Sequence, residues 1–251
     1  MSVAGQHVVI TGGGSGVGAE MARVFAGEGA KVTILGRSYA PLKEVAEETG
    51  ALPLAADVTS RESLDAALGQ AREVNGPVAI AIANAGAAPS APFRKVSAED
   101  FRASLAVNLE GVFHLWQACH EEMAAAGWGR LIAIASTAGL KGYPYVSPYC
   151  ASKHGVVGLT RALAQELGRT GITVNAICPG FIDTPLLAKS IDAITAKTGK
   201  TENEARAQLC AGNPQKRFVE TGEVAGTALW LCSDAAAAVS GHALALSGGE
   251  I

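Results

Sequence analysis

The segment Thr11 to Gly18, TGGGSGVG, joins a short apolar run over 7–11 to a helical stretch over 17–28, and no other part of the chain narrows the fold so far. Glycines at such a junction let the backbone turn sharply and leave the amides of a helix N-terminus open to an anion. Strand, glycine turn and helix in that order begin a βαβ unit. The same alternation then runs the length of the sequence. Apolar runs at 31–35, 52–55, 78–83, 130–135, 172–178 and 243–247 are separated by helical stretches at 40–49, 60–74, 97–126, 148–169 and 221–233. Seven strands with helices between them predict an α/β fold, a doubly wound parallel seven-stranded sheet with helices on both faces. One domain over 1–251 accounts for the length. The polar stretch 183–215 has no strand to feed, and the spacing predicts a helical insertion that lies over a cleft, a substrate lid around 183–217.

Bulk properties remove several classes of function. A formal charge of -3 gives no basic footprint for nucleic acid, and the apolar runs are too short or too interrupted by glycine to span a bilayer. Met1 to Gln6 has no basic leader region, so no signal peptide is expected. Cys119, Cys150, Cys178, Cys210 and Cys232 are scattered and odd in number, which fits a reduced cytoplasmic setting and packing roles. The five histidines show no metal-ligand spacing, and no metal site is expected.

Within the glycine turn, Gly12, Gly16 and Gly18 are the positions where a backbone would approach a pyrophosphate. Their spacing is G-x-x-x-G-x-G, which departs from the general G-x-G-x-x-G fingerprint of dinucleotide sites. The second strand ends in Gly36-Arg37-Ser38. An acid at that point would bond the ribose 2'-hydroxyl of NAD, whereas Arg37 offers a charged fork for a 2'-phosphate. NADP(H) is therefore favoured, with NAD(H) as the alternative.

Tyr149 and Lys153 stand at i and i+4 on a helical stretch and share one face. A phenol has a pKa near 10, so proton exchange at neutral pH requires lowering it by about three pKa units, worth about 4 kcal/mol. A neighbouring ammonium and an oxidised nicotinamide both act in that direction.

With these two residues in place the chain resembles the short-chain dehydrogenase/reductase family over nearly its whole length, Val8 to Gly249. The matching pieces are TGGGSGVG at 11–18, Asp57-Val58, Asn84-Ala85-Gly86, Val107-Asn108, Ser136, YCASK at 149–153 and Pro179-Gly180 with Thr184. The resemblance implies a Rossmann-like fold and hydride transfer between a nicotinamide cofactor and a carbonyl or secondary alcohol. It implies that Tyr149 is the general acid/base, that Lys153 lowers its pKa and bonds the nicotinamide ribose, and that Ser136 holds the substrate oxygen. Asn108 would position a water linking Lys153 to solvent. Ser15 and Val17 join the three glycines around the phosphates, Asp57 and Val58 meet adenine, and Asn84 to Gly86 lie by the adenine ribose. Pro179, Gly180, Ile182 and Thr184 clasp the nicotinamide end.

Among family members the chain looks most like 3-oxoacyl or polyketide ketoreductases and 3-hydroxyacyl or 3-hydroxybutyrate dehydrogenases. The alternatives are a dehydrogenase of a small cyclic, aromatic or polyketide-like alcohol and, more distantly, a non-catalytic cofactor-binding protein. The pocket is expected from 87–93, 137–146 and 186–218, with Leu140, Tyr143 and Tyr145 as an apolar wall. Arg94, Lys95, Lys141 and Lys189 near its mouth could meet a phosphopantetheine or CoA phosphate, or simply face water. The family resemblance implies a homo-oligomer, tetramer or dimer, and the apolar helix face over 155–167 could pack against its own core or a second subunit. Ser247 stands where many relatives carry Asp.

Overall fold

The computed structural model describes residues 3–251, without the side chains of Leu186, Lys189 and Ala193. Seven strands form one sheet: β1 (His7–Thr11), β2 (Lys31–Gly36), β3 (Leu52–Ala55), β4 (Val78–Ala83), β5 (Gly129–Ile134), β6 (Ile172–Pro179) and β7 (Ala243–Leu246). Their order is β3-β2-β1-β4-β5-β6-β7, and every neighbouring pair is parallel. Strand order reverses between β1 and β4, so a crevice opens there at the carboxyl ends of the strands, where open α/β sheets bind ligands.

Alternation along each strand divides the core in two. Ile10, Ile34, Ile80, Ile82, Ile132 and Ile134 face α1 (Gly16–Gly27), α2 (Tyr39–Thr49) and α9 (Thr221–Leu231). Val9, Ala81, Ala83, Leu131 and Ala133 face α3 (Arg61–Asn75), α5 (Gly111–Ala126) and α6 (Ser147–Glu166). The small alanines on that second face leave room for the buried indole of Trp116 on α5. Val156 and Val157 of α6, with Leu167 just beyond its end, pack inward as well and lie in the same cluster. Leu159 and Leu163 of the same helix are only partly buried against it.

Between β4 and α5 runs α4 (Ala98–Leu105), and the expected continuous helix over 97–126 is broken. A π-helical turn, Ala106–Glu110, separates α4 from α5 and carries the fully buried Asn108. Such wide turns insert an extra residue into the helical ladder and commonly sit at functional sites. The insertion after β6 is a pair of helices, α7 (Pro185–Thr198) and α8 (Glu202–Cys210). Leu187, Ile191 and Ala205 form their own small core, with Phe181 and Phe218 packed against it. The pair is thus held together apart from the sheet.

Candidate active site

The first helix starts with its amides open. Ser15 is the N-cap of α1, yet its hydroxyl accepts no capping hydrogen bond, so the N-terminal N–H groups and their partial positive charge are left for an anion. Beside them the backbone is packed too tightly for side chains. A Cβ on Gly12, where φ is 68°, would lie 2.9 Å from Asn84 Nδ2, and one on Gly18 would strike the carbonyl of Gly12. At Gly16 a Cβ would meet Thr184 Cγ2 at 3.2 Å, which places Thr184 directly across the turn. Sequence reasoning missed Gly13, whose Cβ would collide with Ile34; the unbroken glycine run was the available signal. The cradle fits a dinucleotide pyrophosphate.

Thr11 and Asn84 stitch the crevice together. Thr11 Oγ1 accepts from the amides of Asn84 at 3.0 Å and Ala85 at 3.1 Å, while Asn84 Nδ2 donates to the carbonyls of Thr11 at 2.9 Å and Gly12 at 3.2 Å. Asn84 therefore shapes the turn with its side chain. Thr11 opens the glycine motif, but its role as this acceptor carries no sequence signal, because its partners lie more than 70 residues away. At the adenine end, Asp57 Oδ1 accepts from Thr59 N at 2.9 Å and Thr59 Oγ1 at 2.7 Å. Those bonds, with the exposed Arg37 guanidinium nearby, hold its carboxyl below the usual range. Val58 is buried, and its carbonyl accepts from His114 Nδ1 at 3.0 Å.

Ser136 follows β5, and Tyr149 and Lys153 rise from the first turns of α6 to meet it. Ser136 Oγ accepts from Ala138 N at 3.0 Å and faces the Tyr149 hydroxyl, whose phenolate it favours. Lys153 Nζ donates to the carbonyl of Ile134 at 2.7 Å and sits 5.7 Å from the centre of the Tyr149 ring. Burial pushes the phenol up to about 12 and the ammonium down to about 8. Desolvation is the largest influence on both groups, opposed at the phenol by Ser136. Asn108 bonds within its own helix, through Nδ2 to the carbonyl of Ser104, and across to the β4 loop, through Oδ1 to Ala87 N at 3.0 Å and Nδ2 to Ala87 O at 2.9 Å. Both amide protons are engaged, so the side chain anchors the Ala85-Gly86-Ala87 loop. Gly86 lies against it: a Cβ there would be 2.8 Å from Asn108 Oδ1 and 3.9 Å from Lys153 Nζ.

On the nicotinamide side, Gly180 N donates to Leu246 O at 2.9 Å, and Ile182 pairs with Val219 in an isolated parallel bridge. Thr184 occupies the N-cap of α7, but its hydroxyl makes no cap bond and leans to Ile182 O at 3.4 Å. The 87–93 and 137–146 segments are tied by Ala91 N donating to Tyr145 O at 2.9 Å, with Tyr145 at a φ of 68°. Tyr145 is exposed and Leu140 packs toward the core, so Tyr143 is the inward-facing member of the expected wall. Lys141, expected either to meet a substrate phosphate or to face water, is paired with Glu250 at 2.6 Å. Lys189 falls outside the described side chains.

The chain matches the family model for short chain dehydrogenases over residues 6–194. It is 36% identical over 248 residues to a protein named putative ketoacyl reductase from Streptomyces coelicolor, covering 96% of this chain and 95% of that one. It is 35% identical over 250 residues to a D-beta-hydroxybutyrate dehydrogenase from Rhizobium meliloti, with 96% of each chain covered. Among solved structures, an actinorhodin polyketide ketoreductase determined with NADPH superposes with a TM-score of 0.94 at 35% identity, over 98% of this chain and 97% of that one. With the cradle, the crevice and the Ser136, Tyr149 and Lys153 cluster in one place, this chain belongs to the short-chain dehydrogenase family and is an NAD(P)-dependent oxidoreductase.

Proposed function

We propose that the protein interconverts a 3-oxoacyl and a 3-hydroxyacyl substrate, with Tyr149 as proton donor and acceptor, Ser136 and Lys153 as its partners, and NADP(H) as the preferred cofactor. The observation that carries this reading is the meeting of Ser136, Tyr149 and Lys153 at the carboxyl ends of β5 and β6, beside the glycine cradle. Ketoacyl and hydroxyacyl names among the relatives support the substrate class.

A bound dihydronicotinamide supplies the hydride for the carbonyl carbon. The chain does the rest. Ser136 Oγ already accepts from Ala138 N, so its own proton is directed at the substrate oxygen, where it steadies the growing negative charge. Tyr149 gives its proton to that same oxygen. Lys153, buried against β5, favours the phenolate that remains and bonds the nicotinamide ribose. Asn108 keeps the Ala87 loop in register beside them, and Gly12, Ser15, Gly16, Val17 and Gly18 hold the phosphates. Asp57, Val58 and Asn84 to Gly86 line the adenosine half, and Pro179, Gly180, Ile182 and Thr184 the other. The α7–α8 pair acts as a lid whose closure excludes water, consistent with its separate small core.

Arg37 and the absence of an acid at the end of β2 support NADP(H) over NAD(H). Three buried free cysteines, Cys119, Cys178 and Cys232, are consistent with a cytoplasmic setting, and among the described residues no helix is long and apolar enough to cross a membrane. Exposed Phe101 on α4 and Phe113 on α5 support assembly into a dimer or tetramer. The test is an assay of acetoacetyl-CoA, acetoacetate and cyclohexanone with NADPH and with NADH. Reduction of the thioester, faster with NADPH, is expected. Activity on the cyclic ketone alone would move the protein to the small-alcohol class, and tighter fluorescence-detected binding of NADH than NADPH would overturn the cofactor preference.

A further inference from the structure

The segment after β7 turns back toward Lys141 and Tyr143 of the expected pocket wall. After β7, Gly248 and Gly249 adopt φ values of 61° and 92°, a left-handed pair open to glycine and strained for other residues. Ser247, buried at the start of this turn, accepts from Glu250 N through its carbonyl at 3.2 Å and from Ile251 N through Oγ at 3.3 Å. The turn drives the Glu250 side chain inward until it is 8% exposed.

That carboxylate stands where the proposed pocket walls converge. Its Oε1 accepts from Lys141 Nζ at 2.6 Å and from Tyr143 Oη at 2.9 Å. Tyr143 Oη is also 2.8 Å from Thr137 Oγ1, the residue after Ser136. Both bonds fall on the same oxygen. A Cβ on Gly180, next to the nicotinamide clasp, would lie 3.7 Å from the other oxygen, Oε2. A Cβ on Gly212, in the connection beyond the lid helices, would be 2.8 Å from Oε1. Lys141 therefore neutralises the carboxylate from one side, and among the described residues no hydrogen bond engages Oε2, which lies beside Gly180 of the clasp.

We propose that Glu250 is a specificity-determining residue: its Oε2 receives a hydrogen-bond donor carried by the substrate and turns away ketones that bear a carboxylate at that end. An anionic substrate would set one acceptor against another, which costs affinity even beside a neutralised pair. A neutral acyl thioester with an amide N–H on its thiol arm is welcome there. The proposal rests on the 3-oxoacyl reading and sharpens it, favouring acyl thioesters over free 3-oxo acids.

The experiment compares kcat/KM for the neutral N-acetylcysteamine thioester of acetoacetate with that for acetoacetate itself, in wild type, Glu250→Gln and Lys141→Met, with NADPH binding measured alongside. Wild type is expected to prefer the thioester. Glu250→Gln, which places an N–H donor at the site, should shrink that preference by about tenfold, equal to about 1.4 kcal/mol, mainly through KM and with NADPH affinity unchanged. Lys141→Met, which leaves the carboxylate without its counter-charge, should widen it. A general loosening of the pocket would move both variants the same way, and that result, or an unchanged ratio in Glu250→Gln, overturns the proposal. If wild type reduces neither ketone, the 3-oxoacyl reading falls by itself. Glu250 is then judged by calorimetric binding of butyramide and butyrate to the NADP-loaded protein: preference for butyramide that reverses or vanishes in Glu250→Gln sustains the proposal, and equal binding in wild type ends it.

Discussion

The Nζ of Lys153 is bonded to the carbonyl of Ile134 at 2.7 Å, one strand residue pair before Ser136, and this bond fixes the ammonium 5.7 Å from the Tyr149 ring centre. With the phenol pushed up to about 12 and the ammonium down to about 8 by burial, the pair alone does not make an acidic tyrosine. The oxidised cofactor has to bring the missing positive charge. Tyrosinate absorbance that disappears in Tyr149→Phe should therefore develop only near pH 12 in the cofactor-free protein and at distinctly lower pH with NADP bound. The same variant should lose about 10²–10⁴-fold in turnover, the usual worth of a positioned acid, while binding cofactor normally. Equal titration with and without cofactor would remove the electrostatic argument.

Gly18 has its missing Cβ aimed at the Gly12 carbonyl and 2.6 Å from Asn84 Nδ2. Gly18→Ala must push the cradle apart, and overpacking of this kind costs about 1–3 kcal/mol. Cofactor affinity should weaken by roughly 5–150-fold, read by fluorescence titration. Gly69, whose Cβ would meet nothing within 4 Å, is the control: Gly69→Ala should bind cofactor as wild type does.

Asn108→Ala removes the bonds to Ala87 N, Ala87 O and Ser104 O. Each buried group left without a partner costs about 1–3 kcal/mol, so melting temperature should fall by several degrees at roughly 2–4 °C per kcal/mol for a chain of this size. Turnover should fall more than thermal stability alone explains, because the loop it anchors carries Gly86 beside Lys153. Unchanged activity at a temperature where the variant is fully folded would show that the anchor is dispensable.

His7 is buried in β1, with Nδ1 2.7 Å from Gly76 O and Nε2 2.9 Å from Thr33 Oγ1. Burial lowers its folded pKa below the ordinary 6.5, so below pH 6.5 the unfolded chain binds more protons than the folded one. The stability that the neutral ring contributes is present above 6.5 and is lost as pH falls through the lowered folded value. Chemical denaturation at about pH 8 and about pH 5 should show a larger loss in wild type than in His7→Gln. An equal loss in both would assign the acid sensitivity to other groups.

Local order was written plainly in the sequence, and long-range partnership was not. The seven strands lie within a residue or two of the runs read from apolar alternation, and Tyr149 and Lys153 share a face, because both patterns depend on neighbours a few residues apart. The break in the 97–126 helix was invisible: the π turn at Ala106–Glu110 goes with Asn108 bonding to Ala87, 21 residues back in the chain. Thr11 meets Asn84 across the switch point, and Lys141 meets Glu250 across 109 residues of sequence. Periodicity reports the surroundings of a residue along its own helix or strand, so composition and spacing determined the sheet, the cradle and the tyrosine-lysine pair. Which distant side chain neutralises a charge or satisfies a buried amide depends on where parallel crossovers bring the chain back, and only the tertiary structure decided that.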